Sequence, residues 1–245
     1  MNIFDVAASG DMDALVALLD NGAAIDQQFD SGMTAITVAA ANGRNFAVEL
    51  LASRGADLEL SNRNGVTPLL AAARNCHTKV VETLLKNGVE LERTNQQGET
   101  ALMVAANHAT IETVRALVDG GADPLARSAN GHTTLTVAVL NGTPGYGQLE
   151  MMRLLIDAGV DVNAETEWGT TAYSLALERG MDDKLSLLLE SGAEENTTQS
   201  PWMRKTKAED ADKSPAVPND ASERETHETH ETHDKPKRPW WRLWG

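Results

Sequence analysis

The sequence predicts an all-α solenoid: about six helix–turn–helix units stacked in register, joined by short β-hairpin-like turns and followed by a disordered C-terminal tail. Three observations predict it. Gly22, Gly55, Gly88, Gly121, Gly159 and Gly192 recur at spacings of 33, 33, 33, 38 and 33 residues. A leucine stands four residues before each of them, at Leu18, Leu51, Leu84, Leu117, Leu155 and Leu188. Hydrophobic residues make up 41% of the chain but aromatics only 4%, so the core must be built from Ala, Leu and Val, which suit closely packed helices. A fixed period of this size marks an array in which no unit buries a core alone and neighbours must close it.

In chain order the units are 1–26, 27–60, 61–93, 94–126, 127–164 and 165–195. The first lacks the opening segment. Each of the others opens on Gly-x-Thr (Gly32 and Thr34, Gly65 and Thr67, Gly98 and Thr100, Gly131 and Thr133, Gly169 and Thr171), read as a tight turn followed by a threonine that caps the first helix. Pro68 falls at a helix start, where its missing N–H costs nothing. The first helix is short and carries Ala39, Ala72, Ala105, Ala138 or Ala176 at one repeated place, so helices of adjacent units approach closely. A break follows, commonly Asn with a small residue, as in Asn42-Gly43 and Asn75-Cys76. The second helix is amphipathic, with Val80, Val81, Leu84 and Leu85 on one face, and the periodic glycine ends it as a left-handed C-cap. Acidic residues on the first unit (Asp11, Asp13, Asp20) and the last (Asp182, Asp183, Glu190, Glu194, Glu195) suit units that shield the ends of a stack.

This pattern resembles the ankyrin repeat. The family's G-x-T-P-L-H-x-A-A signature stands here as GVTPLLAAA, GETALMVAA, GMTAITVAA and GHTTLTVAV, and its L-L-x-x-G-A-D motif as LASRGADL, LLKNGVEL, LVDGGADP and LLIDAGVDV. The resemblance covers residues 1–195. One departure is consistent: the histidine of TPLH is replaced by Thr37, Leu70, Met103, Thr136 and Ser174. The hydrogen-bond network that histidine supplies is therefore expected to be absent, with packing carrying more of the stability.

The resemblance also implies that a protein partner is held on the hairpin tips and the concave side of the first helices. Carried onto this sequence, that surface comprises Arg63, Asn64, Val66, Arg74, Asn75, Gln96, Gln97, Glu99, Asn107, His108, Asn130, His132, Leu140 and Trp168. The strip is rich in side-chain amides. It also holds Trp168 beside a turn glycine, where two readings stand: an interface anchor, or a side chain lying back on the neighbouring hairpin. The 38-residue interval places five extra residues within Gly142–Gln148, read as a mobile loop presenting Tyr146. Such an insertion is cheap, so it is either neutral drift or a specificity loop.

Charge sharpens the choice of partner. The net charge is −15; residues 1–195 hold 27 acidic and 12 basic side chains, whereas residues 196–245 hold 9 of each. An acidic array repels a phosphate backbone, so nucleic acid is not an expected partner. The single cysteine, Cys76, rules out an internal disulfide, the N-terminus has no secretory pattern, and no apolar run approaches the ~18 residues of a membrane span. A cytoplasmic monomer without cofactor or metal is expected.

Periodicity stops after Glu195. Residues 196–234 are polar and charged and are expected to be a disordered linker. Within them Glu225–His233 is a threefold Glu-Thr-His tripeptide, read as a low-complexity spacer over a weak metal site. The segment 235–245, KPKRPWWRLWG, differs in kind: it has four positive charges, no acid, and three of the chain's five Trp. It reads as a docking motif built on Arg238, Trp240, Trp241, Arg242, Leu243 and Trp244. Its candidate targets are a partner protein, an anionic membrane surface on which the chain would sit peripherally, or the chain's own acidic array.

No catalytic constellation is visible. Phosphate loop, metalloprotease helix and nucleophile elbow are all missing, and adjacent Cys76 and His77 are a poor nucleophile–base pair. The reading is a non-catalytic adaptor, with a membrane-associated or autoinhibited regulator as the alternative.

Overall fold

The computed structural model describes residues 2–29, 31–108, 111–141 and 146–195. The candidate tail residues Arg238, Trp240, Trp241, Arg242, Leu243 and Trp244 lie outside the described residues, as does the linker before them. Among the described residues twelve helices form six antiparallel pairs: α1 (Ile3–Ser9) with α2 (Met12–Asp20), α3 (Ala35–Ala41) with α4 (Asn45–Ser53), α5 (Pro68–Arg74) with α6 (Thr78–Lys86), α7 (Ala101–Asn107) with α8 (Ile111–Asp119), α9 (Thr134–Asn141) with α10 (Tyr146–Asp157), and α11 (Ala172–Glu178) with α12 (Asp182–Glu190). Odd-numbered helices stack on odd and even on even, giving an inner and an outer row.

The core runs unbroken between the rows. Ala39, Ala72, Ala105, Ala138 and Ala176 are fully buried in the inner row, and Leu51, Leu84, Leu117, Leu155 and Leu188 in the outer one. Threonine starts the inner helices as expected: the hydroxyls of Thr34, Thr67, Thr100, Thr133 and Thr171 accept from the backbone three residues on. Where the family's histidine is missing, Thr136 and Ser174 bond back to Thr133 and Thr171, while Leu70 and Met103 join the buried interior.

Two sets of glycines do different work. The periodic glycine after each outer helix has φ between 77° and 93°, and a Cβ there would meet nothing within 4 Å, so backbone handedness alone selects it. The tip glycines are also pressed by the next unit: a Cβ on Gly65 would come within 3.1 Å of the Asn95 backbone, and one on Gly98 would fall onto Ala129 N.

Neighbouring units are tied by ladders. Tip to tip, Arg63 N donates to Ser31 O, Gln96 N to Asn64 O and Ala129 N to Gln97 O, at 2.9–3.2 Å. Behind the tips, acidic side chains accept from the next unit's backbone: Asp26 from Asp57 N, Glu59 from Glu90 N and Glu92 from Asp123 N, at 2.8–2.9 Å. Part of the acidity of the array is therefore structural. A third series closes the inner helices, whose last carbonyls lack intrahelical donors. Arg44 Nε donates to Ala8 O, and Arg179 Nη1 to Leu140 O; His77 Nε2 stands 3.1 Å from Ala41 O, an N–H donor to it in the corresponding tautomer.

The regularity fails at one junction. Leu125 takes the place of the acidic acceptor, so nothing from its connection meets Asp161 N, and no backbone bond joins Asn130 to Glu167 among the described residues. Instead the Arg127 guanidinium donates to Glu165 O. A groove of about 250 Å³ opens there, lined by Pro124, Leu125 and Asp161 among others, and a second of about 400 Å³ lies between α8 and α10. The insertion belongs to the same region, and it is not all loop. Helix α10 starts at Tyr146 and is 12 residues long where the other outer helices are 9. Gln148 is buried and donates through Nε2 to Ala138 O, anchoring the extra turn.

Tight turns rather than strands connect the units. In each tip the first residue's N–H reaches the fifth residue's carbonyl, as Asn95 N to Glu99 O, and the described connections contain one isolated bridge, Arg127 with Thr133.

Candidate protein-binding surface

In three of the five tips one side chain organises the turn. Asn62 Oδ1 accepts from Asn64 N and Val66 N, Asn95 Oδ1 from Gln97 N and Glu99 N, and Thr166 Oγ1 from Trp168 N and Thr170 N. With the backbone thus satisfied, the residues between are presented to solvent on a fixed frame.

The residues expected on this surface divide into two groups. Several are engaged by the scaffold. Val66 packs partly against the core, Asn75 Nδ2 donates to Ala71 O, Gln96 Nε2 donates to Arg63 O, and the Glu99 carboxylate accepts from Asn95 Nδ2 at 2.8 Å. Asn107 and Leu140 are half-buried, and Leu140 O receives Arg179. Others project freely: the side chains of Arg63, Asn64, Arg74, Gln97 and Asn130 are exposed and have no hydrogen-bond partner among the described residues. Tyr146 opens α10, and its side chain lies outside the described part.

Glu99, His132 and Trp168 come together across three successive tips. The indole of Trp168 lies 5.7 Å from the His132 ring, centroid to centroid, at 60°, yet Trp168 remains 50% exposed. Trp168 thus leans on the neighbouring tip and leaves half its surface exposed. Burial lowers the pKa of His132 below 6.5, against the pull of the Glu99 carboxylate, and its Nδ1 is buried without a partner. His108 is also lowered, by burial first and then by Arg74, with Glu99 opposing. The patch thus combines an acidic side chain, two imidazoles that burial biases toward the neutral form, and an open indole.

The structure adds residues that the sequence reading passed over. His77 and Arg44 close neighbouring helices rather than face a ligand. Lys184 is 7% exposed and donates from Nζ to Val139 O, with its pKa pushed down to about 8 by burial and by Arg179. Its signal was available, since Ala47, Val80, Thr113 and Met151 occupy the same place in the other outer helices.

Tip, helix pair and left-handed glycine repeat in one order throughout, and a family model for ankyrin repeats, in three copies, matches residues 3–95 and 87–165. The chain belongs to the ankyrin repeat family. A solved ankyrin repeat domain from Acinetobacter baumannii AYE is similar at 30% identity and a TM-score of 0.73, over 78% of this chain and 98% of that one. The ankyrin repeat protein EF0377 is similar at 26% identity and a TM-score of 0.71, over 76% of this chain and 96% of that one. No curated protein matches the chain. Ankyrin repeats are in general protein–protein interaction modules, and the fold is typically non-catalytic. No helix among the described residues is long and apolar enough to cross a membrane.

Proposed function

We propose that this ankyrin array is an adaptor that holds a protein partner against its tips, on Arg63, Asn64, Arg74, Gln97, Glu99, Asn130, His132 and Trp168. The half-exposed indole of Trp168 carries the reading. Aromatic anchors surrounded by polar groups dominate binding energy at interfaces. Beside it stand unbonded amides on a rigid frame, which can hydrogen-bond a partner at little cost in side-chain ordering. The test is affinity capture with the full chain, the Trp168→Ala variant, and a Glu112→Lys variant on the outer row. Proteins held by the wild type and by Glu112→Lys, and lost from Trp168→Ala, support the reading. Equal capture by all three overturns it.

The C-terminal segment enters from its sequence. Arg238, Trp240, Trp241, Arg242, Leu243 and Trp244 form a second docking element, so that array and segment together hold an assembly more tightly than either alone. Contact with an anionic membrane, or closure on the acidic array, is the alternative use of the same residues. Co-sedimentation with anionic vesicles, comparing the full chain with one ending at Glu195, separates them. Pelleting of the full chain alone supports the membrane use; no pelleting rejects it.

A further inference from the structure

The last repeat leaves uncovered an apolar surface that the others bury. Leu177 on α11 occupies the place of Ala40, Ala73, Ala106 and Val139, which are at most 2% exposed, yet Leu177 is 49% exposed. Leu185 on α12 is half-buried where Val48, Val81, Val114 and Met152 are fully buried, and Leu189 is 39% exposed. The cover that interior repeats receive at these places comes from the repeat that follows. The acids of the last unit (Asp182, Asp183, Glu190, Glu194) are themselves exposed and leave this apolar surface uncovered. At the other end, α1 and α2 expose no large hydrophobic side chain. The large hydrophobic side chains exposed on the helices of a terminal repeat, Leu177 and Leu189, thus belong to the last one.

We propose that the chain covers this face itself, with the segment 201–206, Pro-Trp-Met-Arg-Lys-Thr, which lies outside the described residues. Reach permits it. Six residues separate Glu195 from Trp202, enough to span about 20 Å, against roughly 10 Å between packed helices. Composition matches the face: Trp202 and Met203 supply apolar bulk for Leu177, Leu185 and Leu189, and Arg204 and Lys205 supply charge opposite to the acids of the last unit. A second copy stacking head to tail would meet the α1–α2 end, which offers no complementary basic cluster, since Asp11, Asp13 and Asp20 are acidic and exposed. One pairing through the same face would bring its own last-unit acids against those of the first copy. This inference is independent of the partner-binding reading.

The test uses the full chain with Trp168, Trp240, Trp241 and Trp244 each changed to Phe, leaving Trp202 as the sole indole. Its emission is expected to be blue-shifted, with severalfold lower acrylamide quenching than in the urea-unfolded chain. Adding Leu177→Asp and Leu189→Asp should abolish that protection while the helical circular dichroism persists. Should those changes unfold the last repeat, Arg204→Glu with Lys205→Glu, which leaves the array untouched, should weaken the protection. Emission like that of the unfolded chain, or protection indifferent to both sets, overturns the proposal. So does protection that disappears on dilution together with a dimer in sedimentation, which would make a second copy the occupant.

Discussion

His132 and Trp168 face each other across the only tip-to-tip step of the described array that lacks a backbone hydrogen bond. Their ring centroids lie 5.7 Å apart at 60°, while the other three steps are joined at Ser31–Arg63, Asn64–Gln96 and Gln97–Ala129. The stack and the Arg127–Glu165 bond thus stand in for a missing rung. Such ring pairs couple by about 0.5–1.5 kcal/mol. A double-mutant cycle with His132→Ala and Trp168→Ala, read from urea midpoints, is expected to show coupling in that range. Strict additivity would mean that the stack holds nothing.

The same histidine makes the array sensitive to acid. His132 and His108 both have folded pKa values below 6.5, with burial the leading cause; Arg74 adds to the shift of His108, and Glu99 opposes both. Below pH 6.5 the unfolded chain takes up protons that the folded chain resists, so stability falls as pH drops through that window and is unaffected by these groups above it. Urea midpoints at pH 5.5 and 7.5 should differ more for the wild type than for a variant carrying His108→Asn and His132→Asn. An equal difference would place the acid sensitivity elsewhere.

Cys76 is the non-glycine residue with positive φ among the described residues, at 58°, in the break where Gly43 and Gly180 stand in other units. A side chain in the left-handed region costs roughly 1–2 kcal/mol, and glycine returns part of that as unfolded-state freedom. Cys76→Gly is expected to stabilise the protein by about 0.5–1 kcal/mol in urea unfolding. Gly43→Ala should do the reverse, more strongly, since its Cβ would also lie 2.7 Å from the His77 ring.

Repetition made the fold legible, because every positional rule could be read five or six times. The glycine after each outer helix, the threonine caps and the small inner-row alanines each express one local requirement, of handedness, hydrogen bonding or close approach. What spacing could not express is a bond between units. Asp26, Glu59 and Glu92 recur at the same 33-residue interval as the glycines, yet as surface acids they carry no sign of accepting from the next unit's backbone. The candidate surface suffered from the same limit. Gln96 and Gln97 are adjacent and chemically identical, but Gln96 is tied to Arg63 O while the Gln97 amide projects. The insertion misled differently: its glycines and proline argue for a loop, whereas the buried bond from Gln148 to Ala138 O pulls Tyr146–Gln148 into α10.

Lys184 places a titratable amine where the other outer helices have Ala47, Val80, Thr113 and Met151. Its pKa falls from 10.5 to about 8, through burial first and the nearby Arg179 second. Because the folded value is the lower one, the folded chain releases its proton before the unfolded chain does. Stability should therefore rise between about pH 8 and 10.5, and this group contributes a constant penalty below that window. Lys184→Met should remove the rise. At pH 7 it should stabilise by about 1 kcal/mol, the desolvation cost less the lost bond to Val139 O. A slope that survives the substitution would assign it to another group.

Leu125 interrupts the acidic ladder at the junction where both grooves open. It is 56% exposed, so it contributes little packing, and it has no acceptor for Asp161 N. Glutamate at the matching position, Glu92, reaches the next unit's Asp123 N at 2.8 Å, and Asn163 reaches Glu194 N at the same distance. Leu125→Glu should restore the missing rung. A hydrogen bond to a charged acceptor contributes about 1.5–3 kcal/mol when well formed, less at an exposed site, so a gain of about 1 kcal/mol is expected in urea unfolding. Leu125→Ala, which removes the side chain without supplying an acceptor, should change little. Amide hydrogen exchange gives the local readout: Asp161 N–H should become protected in Leu125→Glu and stay unprotected in Leu125→Ala. If both variants exchange alike, the interruption at this junction comes from the backbone path of the 38-residue interval rather than from the residue at position 125.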